Sequence, residues 1–189
     1  MEKLYQKKNF ISKIEVEKIV KYLKETDGWS KGGDDYWDGR CLYIEAIEAD
    51  GRSDIYKLLS QIKNRIALEI QSFYGKEAFP DLINFVRWPE GIEQPPHCDD
   101  MSDSGPERSW FNHREWGAII YLNNDFVGGK TYYPNFGFEA DLEPGMLVIH
   151  PGNQEYLHGI TKVFHGTRYT IASFWTTDST YERKMNQNY

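Results

Sequence analysis

The chain has only two cysteines, Cys41 and Cys98, too few for a disulfide framework. No apolar run approaches the roughly 20 residues needed to span a bilayer. The opening MEKLYQKKNFISKIEVEK lacks the apolar centre of a secretory leader. Positive charge is scarce, with 22 Lys and Arg against 29 Asp and Glu and a formal charge of -7. That balance argues against a general binder of phosphate backbones, which normally carries a basic stripe. There is no internal repeat and no low-complexity segment. These absences predict a cytoplasmic protein in a reducing compartment, without a membrane or a general nucleic-acid partner. They leave the oligomeric state open.

Aromatic residues are plentiful, with 13 Tyr, 10 Phe and 6 Trp among 189 residues. That length suits one domain over 1–189 with a sizeable core. Helical support is expected over 1–80, a strand core over 81–177 and a polar, fraying tail over 178–189. In ISKIEVEKIVKYLKETDGW, Ser12 and Glu15 have capping-box spacing. Val16, Ile19, Val20 and Leu23 follow at helical spacing, and Asp27-Gly28 stops the run. A second helix fits SDIYKLLSQIKNRIALEIQSFYG, with Ser53 as N-cap and Gly75 as stop. Its buried stripe is Ile55, Leu58, Leu59, Ile62, Ile66, Ile70 and Phe73. The segment SKGGDDYWDGRC between the helices reads as an exposed, loose connector.

From residue 81 the period becomes strand-like. LINFVRW, WGAIIYLN, KTYYP, GFEADLE, MLVIHP, YLHGITKV and RYTIASFWTT are short and β-branched or aromatic, with Pro and Gly between them. The fold class this predicts is α+β, mainly β. It is a double-stranded β-helix (jelly roll) with the N-terminal helices packed on one sheet.

Within PPHCDD, His97 and Asp99 stand two apart. On an extended segment they project to one face while Cys98 points away, and Asp100 belongs to the polar loop that follows. Such a pair arises too readily by chance to carry a claim alone. With one more nitrogen ligand it would complete the 2-His-1-carboxylate face that leaves positions open on Fe(II). Of the candidates His113, His150, His158 and His165, spacing mildly favours His158, which follows a turn and opens a strand. His150 ends an apolar strand and reads as a packed histidine. Ten residues past His158, Arg168 is expected on a neighbouring antiparallel strand facing the same cavity. A buried guanidinium requires an anion. That anion could be a bound carboxylate, with Thr170 adding a hydrogen bond, or a protein acid such as Glu155 or Asp141.

The order of HCD at 97–99, GGKTYYP at 128–134, LEPGMLVIHPG at 142–152, LHGITKV at 157–163 and HGTRYTIASFW at 165–175 resembles the Fe(II)/2-oxoglutarate-dependent dioxygenases. The resemblance is specifically to the prolyl 4-hydroxylase-like branch and covers about residues 82 to 176. The resemblance implies iron on His97, Asp99 and His158, and the far carboxylate of 2-oxoglutarate on Arg168 and Tyr121. Trp88 stands where relatives often have a tyrosine, and it can donate but not accept. It further implies O2 as oxidant, ascorbate as reductant, and hydroxylation of an unactivated C–H with release of succinate and CO2. A prolyl residue in a peptide or protein is the first substrate expected, and another side chain or a small molecule the next. The retained Asp99 favours hydroxylation over halogenation. A catalytically silent jelly-roll binding module is the rival of another class. Residues 100–115 are long and polar for their place and suggest a lid, with Trp110 and Phe111 either touching substrate or packing the loop down.

Overall fold

The structure is a computed structural model that describes residues 2–31, 36–102 and 110–185. The centre of the expected lid (103–109), part of the expected connector (32–35) and the last residues of the tail (186–189) lie outside the described residues.

Helix α1 spans Lys13–Glu25, and its capping box is formed in full. The Ser12 hydroxyl accepts from the Glu15 amide, and the Glu15 carboxylate accepts from the Ser12 amide at 2.6 Å. A short helix α2 (Ile44–Ala49), too brief to show a period, buries Ile44 and Ile47. Helix α3 spans Ser53–Tyr74, with Arg52 rather than Ser53 at the N-cap and no side-chain cap. Gly75, at φ 69°, ends it in the left-handed region that only glycine adopts freely. The expected stripe of α3 is buried except Phe73, which is exposed where the last turn meets Tyr5.

The strands are β1 (Tyr5–Lys7), β2 (Cys41–Leu42), β3 (Phe79–Pro89), β4 (Gln94–His97), β5 (Trp116–Tyr121) and β6 (Val127–Gly128). They continue with β7 (Thr131–Tyr133), β8 (Phe138–Glu139), β9 (Leu147–Pro151), β10 (His158–Ile160), β11 (Val163–His165) and β12 (Thr167–Thr176). A six-stranded sheet runs β1-β9-β5-β12-β3-β2 and a four-stranded sheet runs β4-β10-β7-β8, with β11-β6 as a small pair. The pairings are antiparallel. This is the mainly-β jelly roll that the strand pattern predicts, with helices over one sheet. Pro95 and Pro96 sit in β4, an edge strand, where a missing N–H is tolerated.

Strand alternation sorts the six-stranded sheet into two faces. Ile83, Phe85, Ile120, Leu147, Ile149 and Ile171 join the core beneath the helices. Trp88, Tyr121, His150, Arg168 and Thr170 have the other parity and turn inward, toward the four-stranded sheet. The structure corrects one placement. His158 and Arg168 are not on adjacent strands: β10 pairs with β4 and β7, whereas β12 pairs with β3 and β5. The chain crosses between sheets through β11 and Gly166, at φ 80°. The two residues therefore stand on opposite sheets.

Two further expectations are corrected. In the described part of the connector, Arg40 is buried, and its guanidinium lies 4.2–4.6 Å from the rings of Tyr36, Trp37 and Trp88. The tail is held as far as residue 185, because Tyr181 stacks on His113 with centroids 3.8 Å apart, Arg183 pairs with Glu45, and Met185 is buried. Burial of a Met side chain contributes about 1.5–3 kcal/mol and an aromatic stack about 0.5–1.5 kcal/mol. Deleting residues 178–189 is therefore expected to lower the unfolding midpoint by about 5–15 °C in calorimetry. An unchanged midpoint would show that the tail contributes nothing.

Candidate metal and co-substrate site

His97 closes β4 and is the direct cross-strand partner of His158, the first residue of β10. The pairing sets the two imidazole centroids 4.5 Å apart. Asp99 joins them by a route other than strand alternation, since β4 has ended. A turn closed by Met101 N–H on Cys98 O at 3.2 Å, with Met101 at φ 56°, swings its carboxylate back. Asp99 Oδ1 lies 3.6 Å from His158 Nε2 and 3.9 Å from His97 Nε2. The three ligand atoms lie within 4.8 Å of one another. Cys98 is buried, and Asp100 accepts from the Ser102 amide at 2.9 Å within the following loop.

Each imidazole presents the right nitrogen. Nδ1 of His97 faces Pro95 O at 3.1 Å and Nδ1 of His158 faces Tyr156 O at 3.2 Å. A proton donated there leaves both Nε2 lone pairs as acceptors, as metal ligation requires; that of His97 meets the Gln94 side-chain amide at 3.3 Å, a contact a metal would displace. Burial pushes His158 down to about 3, so the ring is neutral at physiological pH. Two imidazole nitrogens and one carboxylate oxygen converge, a donor set that fits a divalent iron.

The remaining histidines separate clearly. His113 stacks on Tyr181 beside Asp81, and His165 is exposed near Glu90. His150 is buried, as expected of a packed residue, yet it packs on the triad itself. Its centroid is 4.2 Å from that of His158, and its Nε2 is 3.8 Å from Asp99 Oδ2.

Arg168 is buried and has no carboxylate partner among the described residues. Nη2 donates to Thr131 Oγ1 at 3.0 Å, while Nε and Nη1 have no hydrogen-bond partner. Glu155 and Asp141 are both exposed. Burial pushes the guanidinium down to about 10, so it remains a cation at neutral pH. The Tyr121 hydroxyl, on β5, donates to the same Thr131 oxygen at 2.9 Å. Thr131 thus accepts twice, and its own proton is free to donate. An uncompensated buried cation ringed by donors fits an incoming carboxylate.

Trp88 is the cross-strand neighbour of Arg168, and its ring lies 5.7 Å from the guanidinium carbon. It walls one side of the guanidinium. The Thr170 hydroxyl turns to its own sheet, contacting Val86 O at 3.5 Å. Two residues escape sequence reasoning. Thr131 was visible only as the threonine of GGKTYYP. Tyr133 has a buried hydroxyl with no partner, and its ring centroid lies 5.7 Å from that of His158. Nothing in its strand pattern separates that hydroxyl from an ordinary core phenol.

No family model matches the chain. The architecture defines the class: the chain has the fold of the prolyl 4-hydroxylase-like 2OG-Fe(II) oxygenases. A Pseudomonas putida prolyl-4-hydroxylase superposes with a TM-score of 0.63 at 16% identity, covering 94% of each chain. A prolyl hydroxylase from Trichoplax adhaerens, in complex with a hypoxia-inducible-factor peptide fragment, gives 0.61 at 19% identity, covering 94% of this chain and 84% of that one. Among curated proteins, human prolyl 3-hydroxylase 2 is 26% identical over 101 residues, which are 48% of this chain and 14% of that protein. The chain therefore spans a small part of that relative's length.

Proposed function

We propose that the chain is an Fe(II)- and 2-oxoglutarate-dependent oxygenase that hydroxylates a prolyl residue in a peptide or protein. The observation that carries the reading is Arg168, a buried cation without a carboxylate, housed in the same inter-sheet interior as a His-Asp-His triad. His97, Asp99 and His158 would hold the metal. Arg168, with Thr131 and Tyr121, would hold the far carboxylate of the co-substrate. When bound, iron and 2-oxoglutarate supply the activation of O2: the oxo acid loses CO2 to become succinate, and one oxygen atom goes to the substrate C–H.

The chain's own residues set the conditions. Burial keeps His158 unprotonated, and Oδ1 of Asp99 faces both imidazoles. Trp88 packs beside the buried guanidinium and Tyr133 packs on His158, so a charge–charge contact at Arg168 would be made in a poorly screened interior. Half-exposed His97 marks the open side, where substrate would approach.

A peptidyl-proline substrate is supported by the prolyl hydroxylase fold and by the peptide complex of the Trichoplax relative. The curated relatives, named prolyl 3-hydroxylases, favour C3 over C4 as the site of oxidation. Anaerobic Fe(II) with 2-oxoglutarate should give a weak visible charge-transfer band, and O2 should then give succinate. Proline-containing peptides should gain 16 mass units, and amino-acid analysis would distinguish 3- from 4-hydroxyproline. Folded protein giving neither band nor succinate would leave a silent binding module; succinate without peptide oxidation would point to a different side chain or a small molecule.

A further inference from the structure

The geometry points to His150 as a positioning residue for Asp99, holding the carboxylate oxygen that faces away from the metal site; this rests on the metal reading above. A carboxylate that gives one oxygen to a metal leaves the other to be satisfied, and in a dry interior that oxygen needs a donor. Asp99 Oδ1 faces His97 and His158, at 3.9 and 3.6 Å. Oδ2 faces His150 Nε2 at 3.8 Å. Both Oδ2 and His150 Nε2 are buried and neither has a hydrogen-bond partner. The two unsatisfied atoms face one another.

A neutral imidazole carries one proton, and His150 has acceptors on both sides. Pro151 O lies 3.1 Å from Nδ1. A carboxylate is the stronger acceptor; and whereas Nε2 of His97 and His158 would face the metal, Nε2 of His150 faces Oδ2, which has no hydrogen-bond partner among the described residues, so the His150 proton belongs on Nε2. Closing the gap to a charge-assisted hydrogen bond of about 2.8 Å takes a ring shift of about 1 Å.

Gly117 provides the space for that contact. It is the direct β5 partner of His150 on β9. A Cβ there would stand 2.0 Å from Asp99 Oδ2 and 2.9 Å from His150 Nε2. The carboxylate and the imidazole therefore meet over a backbone position that only glycine leaves open. Phenylalanine would fill the position of His150 without donating, so packing alone does not call for a histidine there.

The test is metal affinity, read apart from turnover. Fe(II) and Co(II) are titrated anaerobically into the parent, His150→Phe and His150→Gln. The Co(II) visible spectrum reports coordination geometry, and metal-free unfolding midpoints serve as folding controls. His150→Phe should weaken both metals about 10–100-fold and alter the Co(II) bands. His150→Gln, whose amide can donate to Oδ2, should recover most of the affinity. If the phenylalanine variant does not fold, His150→Met takes its place. Parent-like affinity in a folded donor-free variant overturns the inference while leaving the metal reading intact. Equal loss in the Gln and donor-free variants also overturns it, by assigning the effect to ring shape. A parent that binds neither metal removes both the reading and the inference.

Discussion

Arg168→Met is expected to weaken 2-oxoglutarate binding at least about 100-fold while leaving the ligand-free protein as stable as the parent or more so. The two effects have opposite signs for one reason. The guanidinium is buried with two of its nitrogens unpartnered, so the ligand-free fold bears its desolvation cost. Replacing buried charge by well-packed apolar groups is often neutral or stabilising by about 1–4 kcal/mol. Removing one partner of a buried ion pair costs about 3–5 kcal/mol, here taken from the complex, which is roughly a 10²–10⁴-fold loss in affinity. Thermal unfolding with and without Mn(II) and 2-oxoglutarate reads both effects. The parent should gain about 2.7 kcal/mol at a ligand concentration about 100 times Kd, and the variant far less. A variant that retained this gain would remove Arg168 as anchor.

Asp99→Ala is expected to behave similarly toward metal. A four-ligand protein site is worth about 10–16 kcal/mol. An equal share of that is about 3 kcal/mol per ligand, or roughly 100-fold in affinity. Succinate formation should fall below detection at Fe(II) concentrations that saturate the parent. The metal-free protein should change little in stability, because loss of the contact between Oδ2 and His150 is offset by removal of a buried charge whose metal-facing oxygen has no cation to balance it. Isothermal titration with Fe(II) under anaerobic conditions measures the first effect and calorimetry the second. Parent-like affinity in the variant would exclude Asp99 as a ligand. Side chains kept in place at a cost to the empty fold are those whose interactions await a ligand.

Much of this site was legible before any fold was known. H-x-D, H-G and G-T-R-Y stand in an order that a jelly roll folds inward, and the β10–β4 pairing brings His158 directly opposite His97. The route to convergence was less legible. Asp99 reaches the pair through a turn at Cys98–Met101, whose backbone geometry no alternation rule describes. Thr131 looked like one more β-branched strand residue until its hydroxyl met Arg168 and Tyr121, which come from the opposite sheet.

The sequence by itself determined what depends on neighbours a few residues away. Ser12 and Glu15 cap α1, Gly75 ends α3, and strand parity decides which residues of β3, β9 and β12 face the helices. Tertiary structure alone decided which strand lies in which sheet, and so set His158 across the interior from Arg168 instead of beside it. It alone turned His150 from a core residue into the neighbour of Asp99 Oδ2, 51 positions away along the chain by subtraction of their numbers. The physical reason is range. Caps and periodicity act through local hydrogen bonds and side-chain spacing, whereas an unsatisfied buried atom is recognised only when distant segments have excluded water around it.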